Sequence, residues 1–212
     1  MRYLVKVKIC GVTKVEDIIL LENFSVDYLG FIMYPLSPRY VGEKLKELLT
    51  LVKKAKKVVV LVDPSEKEAK EVLDLGADLI QLHGNENLEI ATKIGLHRVI
   101  KAFRVKEPFD FKRLEPWKQV YAILLDTYQK GIPGGTGKTF NWEIARRTVL
   151  EDYRVFLAGG LNPNNVIEAI NIVRPYAIDI SSGLESEPGI KDPEKVKALF
   201  EALKERRVEP HP

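Results

Sequence analysis

Residues 155–163 read VFLAGGLNP: a short apolar run, two glycines, a leucine, and then Asn162 followed by Pro163. The apolar run VFLA, ended by glycine, predicts a short buried strand. Asn followed by Pro predicts a helix start, with a capping residue and then proline at the first helical position, before a helix over 164–173. A buried strand that a short glycine loop joins to a helix is the repeating unit of parallel α/β folds.

The same alternation runs along the rest of the chain. Strands are predicted at 4–10, 28–33, 58–62, 79–83, 99–103, 121–126, 155–158 and 177–181. Helices are predicted at 13–21, 65–75, 86–94, 164–173 and 194–206, and the proline-containing segment 106–118 is predicted to be short or irregular. Eight such units predict an α/β single-domain (β/α)8 TIM barrel with eight parallel strands, covering 1–207 and followed by a short tail at 208–212. An open doubly wound sheet is the alternative.

Two further helix starts have local signals. Thr13 and Glu16 have the spacing of a capping box, and Asp192 followed by Pro193 repeats the Asn-Pro device before the last helix. These signals predict side-chain caps on the first and last helices.

Composition excludes several classes of function. The 33 Lys and Arg residues nearly balance the 30 Asp and Glu residues, for a net charge of +3, which is too even for a nucleic-acid-binding protein. No run approaches the ~18 apolar residues of a membrane span, and the N-terminus alternates Val and Lys rather than forming a signal peptide. With 1 Cys and 3 His, disulfides and metal clusters are not expected. A cytoplasmic protein with a small-molecule partner is expected, and the oligomeric state is not predicted.

Polar side chains gather at the ends of the predicted strands. Lys8 and Cys10 share one face of the first strand, Gln81 and His83 share a face of the fourth, and Asp126 ends the sixth. In a barrel, the carboxyl ends of the strands and the loops after them form the active face.

Glycine loops follow the last two strands, with Gly159 and Gly160 after the seventh and Ser182 and Gly183 after the eighth. Glycines allow backbone N–H groups to approach an anion, and these two loops are where barrels commonly hold a phosphate. The alternative is that both are ordinary turns.

A third glycine-rich stretch, GIPGGTGKT at 131–139, comes close to a nucleotide-binding P-loop. Its first glycine is one residue too far from Gly137 for that motif, and no helix start follows at once. A mobile loop over the active face is the better interpretation.

Each remaining candidate has an ordinary alternative. Cys10 is either a small buried hydrophobic residue or a reactive thiol, whose thiolate Lys8 would favour. Asp126 is a candidate acid or a turn residue, and Arg39, in a proline-rich loop, is a carboxylate clamp or a surface arginine. His83 is expected to be a hydrogen-bonded pocket residue rather than a metal ligand.

Together these motifs resemble the phosphoribosylanthranilate isomerases, (β/α)8 enzymes of tryptophan biosynthesis. The matching stretches, in order, are KICG at 8–11, GF at 30–31, SPR at 37–39, QLHG at 81–84, LD at 125–126, GGTG at 134–137, AGGL at 158–161 and DISSG at 179–183. The resemblance covers nearly the whole chain.

This resemblance implies an Amadori rearrangement of N-(5-phosphoribosyl)anthranilate. Asp126 would be the general acid and Cys10 the general base, and no metal or organic cofactor would be needed. Arg39 would hold the anthranilate carboxylate. The other implied contacts are substrate contacts from Gln81, His83 and Asp179, and phosphate contacts from Gly159, Gly160, Ser182 and Gly183.

Two other functions stay open at this point. A pentose-phosphate epimerase would share the phosphate loops but would use a metal held by His and Asp side chains, and this chain has few histidines. A barrel that binds phosphate without catalysis would act as a partner or sensor.

Overall fold

Eight parallel strands form a closed barrel in a computed structural model that describes residues 5–126 and 138–205. They follow one another around the barrel in chain order, and the first pairs with the eighth. The strands are β1 Lys6–Cys10, β2 Tyr28–Ile32, β3 Lys56–Leu61, β4 Leu79–Leu82, β5 Val99–Arg104, β6 Ala122–Asp126, β7 Val155–Ala158 and β8 Ala177–Ile180. The predicted (β/α)8 barrel is confirmed, and the doubly wound sheet is excluded.

Helices surround the barrel. They are α1 Val15–Leu21, α2 Leu45–Leu51, α3 Glu66–Asp74, α4 Leu88–Ile94, α5 Lys138–Leu150, α6 Val166–Val173 and α7 Pro193–Glu205. Neither α2 nor α5 was located from the sequence, and α5 begins at Lys138, directly after Gly137, where no helix start was predicted. The segment predicted to be irregular contains a 3-10 helix at Phe111–Trp117. No helix in the described ranges is both long and apolar enough to cross a membrane.

The core has two parts, because successive strand residues face opposite sides of the sheet. Val7 and Ile9 of β1 belong to the large apolar cluster between the barrel and its helices. Tyr28, Leu124 and Phe156 belong to a smaller cluster inside the barrel. Lys8 and Cys10 alternate with Val7 and Ile9, so they face the interior.

A small hairpin follows β8 that the sequence did not predict. A 3-10 helix at Ser182–Leu184 leads into β9, Glu185–Glu187, which pairs antiparallel with β10, Ile190–Lys191, before α7 begins. The tail at 208–212 lies outside the described residues, so its division from the barrel stays a prediction.

The predicted cap of the first helix is wrong. Lys14 precedes α1 and makes no side-chain capping bond. The Thr13 hydroxyl instead donates to the carbonyl of Gly189, 2.6 Å away in the hairpin turn. A contact with a distant segment has replaced the local capping box of Thr13 and Glu16.

The helix predicted from 164 begins two residues later, since α6 starts at Val166. The Asn162 side chain accepts from the N–H of Asn164 at 2.9 Å and so forms a turn ahead of the helix. Asn165 donates to the Gly160 carbonyl at 3.0 Å, which ties this turn to the glycine loop. The Asn162 carbonyl also accepts from the N–H of Val166 at 3.1 Å, so Asn162 caps the turn that leads into α6.

The same device does cap the last helix. Asp192 accepts from the N–H of Glu194 at 2.9 Å, and α7 begins at Pro193 as its first residue. The same carboxylate oxygen also accepts from the N–H of Lys195 at 3.3 Å, and the local signal is confirmed.

The fourth helix is shorter than predicted, because Glu86 is used elsewhere. It begins at Leu88 after Asn87. The buried Glu86 carboxylate instead pairs with Lys101 of β5, with 2.6 Å between Oε2 and Nζ, and accepts from the N–H of Asp63 at 2.9 Å. This buried ion pair ties together the loops after β3 and β4.

Candidate active site

The end of β1 carries two of the predicted groups into the barrel mouth. Lys8 is fully buried, and its Nζ lies 2.9 Å from Oδ1 of Asp179 on β8, the residue paired with it in the sheet. Cys10 lies two residues further along β1, on the same face of the strand as Lys8, and it is almost fully buried. Its partner on the neighbouring strand β2 is Gly30, and a Cβ at that position would lie 2.7 Å from the Cys10 sulfur. The absence of a side chain at Gly30 makes room for the thiol.

The charge on Cys10 is set by opposing effects. Burial raises the pKa of the Cys10 thiol above its ordinary value, and the Lys8 and Lys191 ammonium groups pull in the opposite direction without overcoming it. Lys8 therefore acts in the predicted direction, but Cys10 is a thiol at neutral pH in the free protein.

Gln81 and His83 form a pair on β4 and the residue after it. Gln81 Nε2 lies 2.8 Å from Nδ1 of His83, and burial lowers the pKa of the imidazole although Asp126 acts to raise it. The ring is thus neutral at pH 7. With the Gln81 amide oriented so that Nε2 faces Nδ1, the amide donates and the ring proton lies on Nε2. His83 is a hydrogen-bonded pocket residue, as predicted.

Arg39 is not a surface residue. Its side chain lies across Gly11, where a Cβ would come within 2.5 Å of Arg39 Cδ. Its guanidinium makes a two-armed ion pair with Glu185 of β9, with 2.6 Å between Nη2 and Oε2. Glu185 was not predicted from the sequence, because no local motif marks it.

The two predicted phosphate loops touch each other. Gly183, in the loop after β8, is so close to the loop after β7 that a Cβ there would lie 2.0 Å from the Leu161 carbonyl oxygen. Gly159 and Gly160 have φ of 97° and 67°, in the region that favours glycine. Ser182 and Gly183 open a 3-10 helix, whose first N–H groups have no partner within that helix. The two turns therefore form one surface that backbone N–H groups can line.

Asp126 ends β6, beside Ala158 of β7, so β7 and β8 separate it from Cys10. Both residues are at the carboxyl rim of the barrel, with the glycine loops between them. The loop predicted to close over the site, 131–139, falls mostly outside the described residues. The structure thus brings the predicted side chains to one face.

The comparisons with known proteins agree with this geometry. The family model described as N-(5'phosphoribosyl)anthranilate (PRA) isomerase matches residues 7–202. This chain belongs to the PRA isomerase family. A PRA isomerase of Aquifex aeolicus is 50% identical over 204 residues, which are 95% of this chain and 99% of that protein.

Solved structures of PRA isomerases have the same fold. That of the Thermotoga maritima enzyme superposes with a TM-score of 0.86 at 36% identity, and the match covers 95% of this chain and 100% of the other. Another PRA isomerase, at 33% identity and a TM-score of 0.83, was solved in complex with reduced 1-(o-carboxyphenylamino)-1-deoxyribulose 5-phosphate; the match covers 95% of this chain and 100% of that one. The predictions of the family, the fold and the isomerase activity in tryptophan biosynthesis are confirmed.

Proposed function

We propose that this PRA isomerase works through Cys10 and Asp126 as general base and general acid. The observation that carries the proposal is that both residues lie at the same rim of the barrel. The glycine loops after β7 and β8, which touch each other, lie between them. The substrate would be N-(5-phosphoribosyl)anthranilate and the product 1-(2-carboxyphenylamino)-1-deoxyribulose 5-phosphate. We place this reaction in the cytoplasm.

The reaction begins at the sugar ring. Asp126 gives a proton to the ring oxygen as the bond between that oxygen and C1 breaks, and the nitrogen lone pair forms an iminium with C1. Cys10, as thiolate, then removes the proton from C2. The electrons of the C–H bond pass to the iminium nitrogen, and the enolamine that results loses its hydroxyl proton and gains one at C1 to give the ketone. The iminium is the electron acceptor, so the step needs no other group.

The surroundings of Cys10 suit a base whose thiolate form is a small fraction at neutral pH, its proton having passed to solvent before the substrate reacts. The Lys8 ammonium is held by Asp179 on one side and stabilises a thiolate at Cys10 on the other. A thiol that is neutral in the free protein avoids a second buried anion beside Asp179. A general base in such a position contributes about 10²–10⁴ in rate.

The substrate would be held at both ends. Its phosphate would lie on the backbone of Gly160, Ser182 and Gly183, with Gly159 shaping the turn, and its carboxylate on Arg39. Between them, the Nε2–H of His83 can donate to a sugar oxygen. Asp179 uses Oδ1 for Lys8, and its Oδ2 would accept from a hydroxyl group of the sugar. Gln81 is buried and contacts His83, so its contribution is to hold that ring.

The test is a fluorescence time course with freshly generated N-(5-phosphoribosyl)anthranilate, run with and without EDTA. We expect EDTA to have no effect, and Cys10→Ala and Asp126→Asn to fold while kcat falls by about 10²–10⁴. Asp74→Asn, on the exposed face of α3, is the matched control and should keep the original rate. A variant with near-normal kcat would remove that residue from its role.

The family match decides against the two other functions that the sequence left open, the pentose-phosphate epimerase and the non-catalytic barrel.

A further inference from the structure

The hairpin after β8 places two buried charges beside the candidate active site. Lys191 of β10 has a fully buried side chain, and its Nζ donates to the carbonyl of Cys10 at 2.6 Å and to the Glu185 carboxylate at 2.9 Å. Glu185 in turn faces Arg39. An unbroken chain of contacts thus joins the predicted base to the predicted carboxylate clamp.

Glu185 is a carboxylate with two cationic partners. Its side chain is only 4% exposed. Burial acts to raise its pKa, but the hydrogen bonds and charges of Arg39 and Lys191 outweigh burial and lower the pKa below its ordinary value. The group is therefore charged at neutral pH, which is the form that can hold a guanidinium.

The contact uses one particular edge of Arg39. Nε lies 2.8 Å from Oε1 and Nη2 lies 2.6 Å from Oε2, so both carboxylate oxygens of Glu185 are used. A guanidinium has five N–H groups, and this pairing occupies the Nε/Nη2 edge. Within residues 5–126 and 138–205, no hydrogen bond engages Nη1, so the Nη1/Nη2 edge is left for a second carboxylate.

The direction of that edge is fixed from two sides. The Arg39 stem lies against Gly11, directly after Cys10, and its head is held by Glu185. Lys191 prevents Glu185 from turning away, because it holds Oε1 and is itself held by the end of β1. A planar group held in this way can accept a carboxylate in only one orientation.

We propose that Glu185 is a positioning residue that directs the Nη1/Nη2 edge of Arg39 at the carboxylate of the substrate's aromatic ring, and that Lys191 holds Glu185 in place. The proposal rests on the proposed function. In this proposal Arg39, Glu185 and Lys191 together select a substrate whose aromatic ring carries an ortho carboxylate. Glu185 acts through Arg39 and touches no reacting atom.

The test compares two substrates, N-(5-phosphoribosyl)anthranilate and N-(5-phosphoribosyl)aniline, which lacks the carboxylate. In Glu185→Gln the amide offers one acceptor and turns an N–H group towards the guanidinium. We expect KM for the carboxylated substrate to rise about 10–100-fold, the loss of a well-aimed charged hydrogen bond, with kcat changed less than about threefold. KM for the aniline compound should stay as it is. Glu187→Gln, exposed on the same hairpin, is the control and should match the original protein.

A double variant shows whether Glu185 acts through Arg39. In the Arg39→Ala background, Glu185→Gln should have no further effect on KM. The proposal would be overturned if Glu185→Gln raised KM equally for both substrates. It would also be overturned if Glu185→Gln raised KM as much in the Arg39→Ala background as in the original protein. If Glu185→Gln does not fold, Glu185→Asp keeps the charge with a shorter reach and should raise KM for the carboxylated substrate alone.

The two proposals fail in different ways. Original protein that does not turn over N-(5-phosphoribosyl)anthranilate contradicts the proposed function. Fluorescence titration with the reduced product then decides the role of Glu185. An unchanged affinity in Glu185→Gln would overturn that role, and an affinity that falls in Glu185→Gln but not in the Glu187→Gln control would support it.

Discussion

Gly183→Ala tests whether the contact between the two glycine loops builds the phosphate site. The added Cβ would lie 2.0 Å from the Leu161 carbonyl oxygen, and backbone cannot move aside as a side-chain end can. Ordinary contact between such atoms is about 3.5 Å, so the loops must part by more than about 1 Å. A charged hydrogen bond contributes about 1.5–3 kcal/mol, and losing one to a phosphate would raise KM by about 10–100-fold.

The assay measures KM for N-(5-phosphoribosyl)anthranilate and the inhibition constant of inorganic phosphate. Both should rise together, because both depend on the same N–H groups, while kcat falls less. Ser186→Ala, exposed a few residues later, should leave both constants unchanged. A folded Gly183→Ala protein with the original KM and phosphate inhibition would refute the placement of phosphate on these loops.

Two further predictions concern the buried charges. Because burial raises the pKa of Cys10, which is the single cysteine of the chain, the ultraviolet absorbance of its thiolate should appear in a pH titration only above the range of a free thiol. The titration of Cys10→Ala gives the baseline, and a thiolate signal that is already complete at neutral pH would contradict the raised pKa. Glu86→Gln should lower the free energy of unfolding by about 3–5 kcal/mol in denaturant titrations, since it leaves Lys101 buried and unpaired. The pKa of Glu86 is lowered in the fold, so this stabilisation holds above the ordinary carboxyl range and is lost as pH falls through the lowered value; a loss within 1 kcal/mol would contradict the reasoning.

Local sequence patterns located the frame of the barrel because they depend on short-range physics. Strands buried on both faces give apolar runs such as 155–158, and the alternation of Lys8 and Cys10 with Val7 and Ile9 gives the side each residue faces. Once eight such strands close in order, their carboxyl ends must meet on one rim. The sequence therefore determined the fold and, with the family resemblance, the set of side chains at the rim.

Two local signals failed because a distant segment competed for the same side chain. Thr13 left its predicted capping role for the carbonyl of Gly189, and Glu86 left α4 for Lys101. In both cases the distant contact satisfies a buried or half-buried polar group that a local cap would have left without a partner.

Only the tertiary structure decided which charged side chains of the site form ion pairs with each other. Arg39 meets Glu185 across 146 residues, and Cys10 meets Lys191 across 181. Both contacts depend on a hairpin whose strands are three and two residues long and carry no periodic signal. Hydrophobic periodicity and capping spacing predict contacts between residues that are close in the sequence. These long-range contacts form because closure of the barrel brings β1 beside β8. The sequence supplied the charges, and the closed barrel determined which of them pair.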